Sequence, residues 1–220
     1  MNYLVIDLEM CKVPKHYRNK KYKYANEIIQ VGAALLDEEY EIIGRINQYV
    51  HPEYGVIDHF ISNLTGIQNS QVKHAPCLQE VLLHMVDWLG DREYKVYAWS
   101  DSDYSQLEHE IISKGLINSR IDDFMKKERW MDYQAVFGTR FEFDRAVSLE
   151  EALICCNIEV DGRLHDGLDD AINTAKLIRT LEMDKNFTIC QYEPDTKEDK
   201  ETFGFSLGDL FAGLNFECIL

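Results

Sequence analysis

Tyr3-Leu4-Val5-Ile6-Asp7-Leu8-Glu9 is the stretch on which the fold turns, an apolar run that ends in two acidic residues. Successive side chains leave opposite faces of a strand, so Asp7 and Glu9 project from the same face, side by side at the mouth of a buried sheet. Carboxylates that close repel unless a cation lies between them, and their hard oxygens suit Mg²⁺ or Mn²⁺ better than a soft metal. The same three residues also suit a solvated turn at the end of a strand. The rest of the chain has to decide.

Working outward, residues 11–25 hold Lys12, Lys15, Arg18, Lys20, Lys21 and Lys23 and no acidic residue, with Tyr17, Tyr22 and Tyr24 interleaved. That composition fits a flexible loop that touches phosphates and stacks on bases, and equally an ordinary solvated loop. Residues 28–36 read as a strand buried on both faces, and 41–50 as its partner across the acidic turn Asp37-Glu38-Glu39. Three strands in succession predict an antiparallel meander. Residues 60–67 read as a short helical turn closed by Gly66. Leu78, Val81, Leu82, Met85, Val86 and Leu89 recur at helical spacing. A strand at 95–99 then leads through the loop Ser100-Asp101-Ser102-Asp103 into a helix carrying Leu107, Ile111 and Ile112. Ser148-Leu149-Glu150-Glu151 has the form of a capping box. His165-Asp166-Gly167-Leu168-Asp169-Asp170 introduces a last helix with Ala171, Ile172, Ala175, Ile178 and Leu181. The order predicts an α/β fold: a mixed sheet with antiparallel first three strands and helices on both faces.

The main domain is expected over residues 1–182 and a C-terminal extension over 183–220, an acidic linker and then a short apolar segment open to a protein partner. With 220 residues and 45% hydrophobic content the chain can bury a sizeable core. Its 23 basic and 39 acidic residues leave a net charge of -16, which excludes broad electrostatic adhesion to nucleic acid or to anionic membranes. A nucleic-acid enzyme with this charge needs metals at its acidic site and a local basic patch. The six cysteines form no zinc-finger spacing, and Cys155-Cys156 read as buried free thiols. With no leader pattern and no apolar run of membrane-spanning length, a cytoplasmic protein without a membrane partner is expected.

Carboxylates thus fall at three joints between strand, turn and helix: Asp7 with Glu9, Asp103, and Asp169-Asp170. Taken singly, Asp103 or Asp170 also serves as a helix cap. Periodicity turns Asp170 toward the apolar face of its helix and Asp169 nearly opposite, while Asp103 stands one turn before the core residue Leu107. His165, in the loop before the last helix, can reach the same place. Beside four carboxylates it reads as a general base that titrates near neutrality.

The blocks Asp7-x-Glu9, Asp103 and His165-x₄-Asp170, in this order, resemble the DEDDh branch of the DnaQ-like 3′-5′ exonucleases over residues 3–182. Residues 27–33 resemble the family's second strand, and Leu64-Thr65-Gly66-Ile67 its loop against the terminal nucleotide. Residues 99–107 and 165–171 look closest to the Eri-type exoribonucleases and their bacterial relatives. The sequence departs from the common form at Met10-Cys11, where many members have a Thr. The resemblance implies an RNase H-like fold and two-metal phosphodiester hydrolysis with two Mg²⁺, or Mn²⁺ in their place. Asp7 would bridge the metals, Glu9 and Asp170 would hold the one that binds the attacking water, and Asp103 would act through an outer-shell water or the second metal. His165 would accept the water's proton. The substrate would be a single-stranded 3′ end, RNA favoured over DNA, contacted by Glu9, Leu64 and Thr65 and guided by Lys20, Lys21 and Lys23. A non-catalytic module binding one structural divalent ion is the rival from another class. Its weakness is His165, because a structural ion has no need of a base.

Overall fold

The computed structural model describes residues 1–18 and 22–190. Lys20, Lys21 and the linker and apolar segment assigned beyond residue 190 lie outside the described residues.

The alternation read in residues 3–9 continues further along the chain, and β1 spans Asn2–Lys12. β2 (Asn26–Leu36) and β3 (Ile42–Tyr49) follow it as the expected antiparallel meander. Leu4, Ile6 and Leu8 face one side of β1, against α3 (Leu78–Leu89), α4 (Asp101–Lys114) and α5 (Ser119–Phe124). Val5 faces the other, where α6 (Tyr133–Arg140), α7 (Leu149–Cys155) and α8 (Gly167–Met183) complete a second core with Ala34, Phe137, Leu153 and Ile178. By alternation Asp7 and Glu9 share Val5's face, the one that α8 covers. The short helices α1 (His59–Thr65) and α2 (Asn69–Val72) close a third, smaller core with Cys11 of β1 and Ile29 of β2, to which they contribute Ile61 and Val72.

β4 (Tyr94–Ala98) and β5 (Trp130–Asp132) extend the sheet in parallel, giving the order β3-β2-β1-β4-β5. The mixed sheet covered by helices on both faces is the fold class expected from the sequence. β5 and the helices beside it were not legible, because a three-residue strand carries no period. The capping box at Ser148 forms by half: Ser148 Oγ accepts from the Glu151 amide, while the Glu151 carboxylate pairs with Arg145 instead. Cys155 and Cys156 are buried thiols, as read. After α8 the chain stays on the domain for several residues, with Phe187 and Ile189 packed on the second core.

The pairing of β1 corrects the place given to its acidic residues. The ladder with β4 ends at Ile6↔Ala98, whereas pairing with β2 runs on to Lys12↔Asn26 past an irregularity at Glu9/Met10. Asp7 and Glu9 therefore lie inside a strand, at the point where it outruns its parallel neighbour. That point is the carboxyl end of the parallel pair, where α/β sheets gather ligands.

A buried ionic cluster fixes α4 to β2. Glu27 accepts from the amides of Glu53, Tyr54 and Gly55 at 2.7, 2.7 and 2.5 Å, and Glu110 from the Ile28 amide at 2.6 Å. Lys114 Nζ lies 2.7 Å from Glu27 and 3.0 Å from Glu110. Burial alone would lower the Lys114 pKa, but the two carboxylates more than offset it and the net shift is upward. Removing the lysine leaves two buried carboxylates facing each other. Lys114→Met is expected to cost about 3–5 kcal/mol in urea denaturation; a loss below about 1 kcal/mol would assign the cluster no such role.

Candidate active site

Two glycines let α8 land on the sheet. A Cβ on Gly32 of β2 would lie 2.0 Å from the carbonyl carbon of Gly167, and one on Gly167 would lie 3.1 Å from the Asp7 carbonyl oxygen. Any side chain at position 32 would collide with the backbone of α8, and one at position 167 would be tight against β1 and β2. The Gly167 amide donates to Gln30 Oε1 at 3.0 Å, and Gln30 Nε2 donates to Asp166 Oδ2 at 3.1 Å and Asn47 Oδ1 at 2.9 Å. Asp166 caps α8, its Oδ1 accepting from the amides of Leu168 and Asp169. Gln30 and Asp166 were not singled out in the sequence, although a glutamine in a strand buried on both faces was the available signal.

This seating carries Asp170, one turn into α8, and His165, just before it, to Glu9. Ligand atoms of Glu9, His165 and Asp170 all lie within 4.8 Å of one another. The His165 amide donates to Asp170 Oδ2 at 2.8 Å, and His165 has φ 62, a left-handed backbone uncommon for a residue with a Cβ. Asp169, which faces away as its phase predicted, accepts from the Arg163 amide at 2.8 Å and holds the loop from outside.

Asp103 arrives on α4. Ser100 caps that helix and Asp101 is its first residue, so Asp101 belongs to the helix and not to the loop, as the sequence had it. Asp103 Oδ1 accepts from the Leu8 amide at 3.2 Å, between Asp7 and Glu9 and beyond the end of β4. It is a tether to β1 and not a cap.

The site is a crowd of carboxylates in partial burial. Asp7 and Glu9 are pushed well above the usual carboxylate range, by burial first and then by the charges of Asp103 and Asp170. Asp103 and Asp170 are pushed up to about 7, chiefly by burial and against the pull of the Leu8 and His165 amides. Burial lowers the His165 pKa, which keeps the ring neutral and able to accept a proton. Glu9 Oε2 and Asp170 Oδ1 are buried with no hydrogen-bond partner among the described residues. Orphaned hard oxygens in a concentrated negative field fit a divalent cation, and a cation would replace the protons that the crowd otherwise needs.

The remaining candidates divide. Leu64 is half-buried, whereas the Thr65 hydroxyl is buried and spent, donating to Ile61 O at 2.9 Å and accepting from the Ile67 amide at 3.1 Å. Lys23 is exposed. The reading of the nearby tyrosines as stacking groups for bases is corrected in part: Tyr22 is fully buried against Tyr54, and Tyr24 stacks on His109 at 4.1 Å.

Residues 4–178 match the family model RNase_T, described as exonuclease. The 3′-5′ exoribonuclease 1 of Homo sapiens is 30% identical over 168 residues, 73% of this chain and 48% of that protein. The chain thus spans about half the length of the curated relatives it first matches. Among solved structures, the nuclease domain of 3′hExo, a DEDDh family member bound to rAMP, superposes with a TM-score of 0.71 at 24% identity, covering 87% of this chain and 97% of that one. Exonuclease I of E. coli in complex with a dT13 oligonucleotide gives 0.60 at 13% identity, covering 82% and 41%. These likenesses show a common fold, the RNase H-like exonuclease architecture.

The shifted carboxylates set a pH dependence. Their folded-state pKa values exceed those of free carboxylates, so between about pH 4 and 7 the metal-free fold binds more protons than the unfolded chain and loses stability as pH rises. A divalent ion held by the deprotonated carboxylates would restore that loss. Mg²⁺ should therefore raise Tm more at about pH 8 than at about pH 5.5. Asp7→Asn should raise the metal-free Tm at the higher pH, by roughly 2–4 °C per kcal/mol of repulsion relieved, and suppress the Mg²⁺ response. A metal shift independent of pH, or a metal-free Asp7→Asn that melts lower than the parent, would contradict this account of the site.

Proposed function

Because this chain belongs to the RNase_T exonuclease family, we propose that it releases nucleoside 5′-monophosphates one at a time from the 3′ end of a single-stranded nucleic acid, RNA in preference to DNA. The observation that carries the reading is the convergence of Asp7, Glu9, Asp103 and Asp170 with His165, two of whose neighbouring carboxylate oxygens are buried without a partner among the described residues. The preference for RNA is supported by relatives named exoribonucleases at about 30% identity. A DNA substrate is the second reading, favoured by the likeness to an exonuclease solved with dT13.

Asp7, Glu9, Asp103 and Asp170 would hold two Mg²⁺, with Mn²⁺ as a substitute. Bound there, the ions supply charge neutralisation at the scissile phosphate and at the attacking and leaving oxygens. His165 accepts the proton of the attacking water at a ring nitrogen, as its lowered pKa permits. The terminal bridging oxygen leaves with the shortened strand. Leu64 offers the terminal nucleoside an apolar surface. Lys20, Lys21 and Lys23 guide phosphates toward the site against the overall charge. The described cysteines, five free thiols, suit a reducing compartment such as the cytoplasm.

The test is incubation with 5′-labelled RNA and DNA oligomers in Mg²⁺, Mn²⁺ or chelator. A metal-dependent ladder, faster on RNA, is the expected result, and neutralising the three lysines should flatten its salt dependence. His165→Ala should lose about 10²–10⁴ in rate, the range for a positioned acid or base, with Tm and its Mg²⁺ shift retained. Intact cleavage in that variant would remove the general base, and no ladder from the parent protein on either polymer would favour a non-catalytic ion-binding module.

A further inference from the structure

Arg163 links two segments about 100 residues apart in sequence, the end of α1 and the loop that carries His165. Its Nη2 donates to the carbonyl oxygens of Asn63 at 2.5 Å and Leu64 at 3.0 Å. These belong to the last turn of α1, whose final carbonyls have no partner within the helix and form its negative pole. Gly66, the left-handed C-cap at φ 75, makes room for the guanidinium: a Cβ there would lie 2.0 Å from Arg163 Nη1. At its other end Arg163 is anchored through its own amide to Asp169 Oδ2 at 2.8 Å. Gly162, at φ 70, has no space for a Cβ beside that same carboxylate. Two residues on stands His165.

The side chain is exposed and its acceptors are neutral carbonyls. A contact of that kind adds little to global stability, since solvent competes for both partners. It does join Leu64, on α1, to the loop that presents His165 to Glu9 and Asp170. Resting on the exonuclease reading, we infer that Arg163 is a positioning residue that bridges α1 to the His165 loop and so fixes the width of the slot taken by the 3′-terminal nucleoside. A forked guanidinium reaches paired oxygens that a single ammonium cannot span, so lysine is a poor replacement.

The bridge is tested in the free protein and in catalysis, with Arg163→Ala and Arg163→Lys. In the free protein, amides of residues 64–67 and 163–166 should exchange about tenfold faster in both variants, with β1, β2 and Tm unchanged. In steady state, Arg163→Ala should lose about 10²-fold in kcat/KM on RNA with an ordinary 3′ end, mostly in kcat, as expected when reacting groups are held out of register. On RNA ending in an abasic residue, which has no base for the slot to hold, the loss should shrink below about threefold. Arg163→Lys should behave like Arg163→Ala. Equal losses on the two ends, an unaltered exchange pattern, or full activity in the lysine variant would overturn the proposal. A parent protein that degrades neither RNA would instead sink the exonuclease reading, and the exchange comparison would still decide the bridge.

Discussion

The seating of Gly167 on Gly32 is the contact on which the site depends. Backbone meets backbone there, with no side chain between helix and strand. Gln30 locks the approach by pairing with both the Gly167 amide and the capping carboxylate of Asp166. Because a helix advances about 1.5 Å per residue, the depth of this seat sets where Asp170 stands relative to Glu9. It also sets the His165 loop, which is tied to α8 through Asp169 and Asp170. Asp103 reaches the same point from the other face of the sheet, through the Leu8 amide.

Two buried acidic clusters in this molecule show what such a seat is for. Around Glu27 and Glu110 the negative charge is answered from within by Lys114 and by backbone amides. Around Asp7, Glu9, Asp103 and Asp170 no ion pair forms among the described residues, and Arg163, whose charge is felt at Glu9, is engaged with α1. The first cluster is complete and holds α4 against β2. The second keeps Glu9 Oε2 and Asp170 Oδ1 without a partner among the described residues, which is what a bound cation would answer. Leaving charge unanswered in partial burial costs stability, and sites that bind or catalyse are where proteins carry that cost.

Much of the candidate site's geometry was legible because local periods determine it. The alternation of β1 put Asp7 and Glu9 on one face, and the helical phase of α8 separated Asp170 from Asp169. Asp103, one turn before Leu107, was fixed in the same way. What escaped was decided by partners far along the chain. Nothing local says that Gln30 meets Asp166, 136 residues on, or that Lys114 answers Glu27. Nor does anything local say that Arg163 finds the carbonyls of α1, about 100 residues back. Tyr22 looked like a surface aromatic amid lysines and is a core residue, because burial against Tyr54 outweighs the polarity of its neighbours. β1 was read too short since two carboxylates in succession resemble a strand end; the strand continues because β2 pairs with it beyond the reach of β4.

Whether the four carboxylates form a seat for divalent ions is decided by calorimetric titration of Mn²⁺ into the metal-free protein at about pH 7, in buffers of different ionisation enthalpy. Carboxylates pushed up to about 7 must give up protons to bind metal. Two ions should bind per chain, with net proton release that fades as the pH is raised. Binding without proton release, or no binding at all, would contradict such a seat.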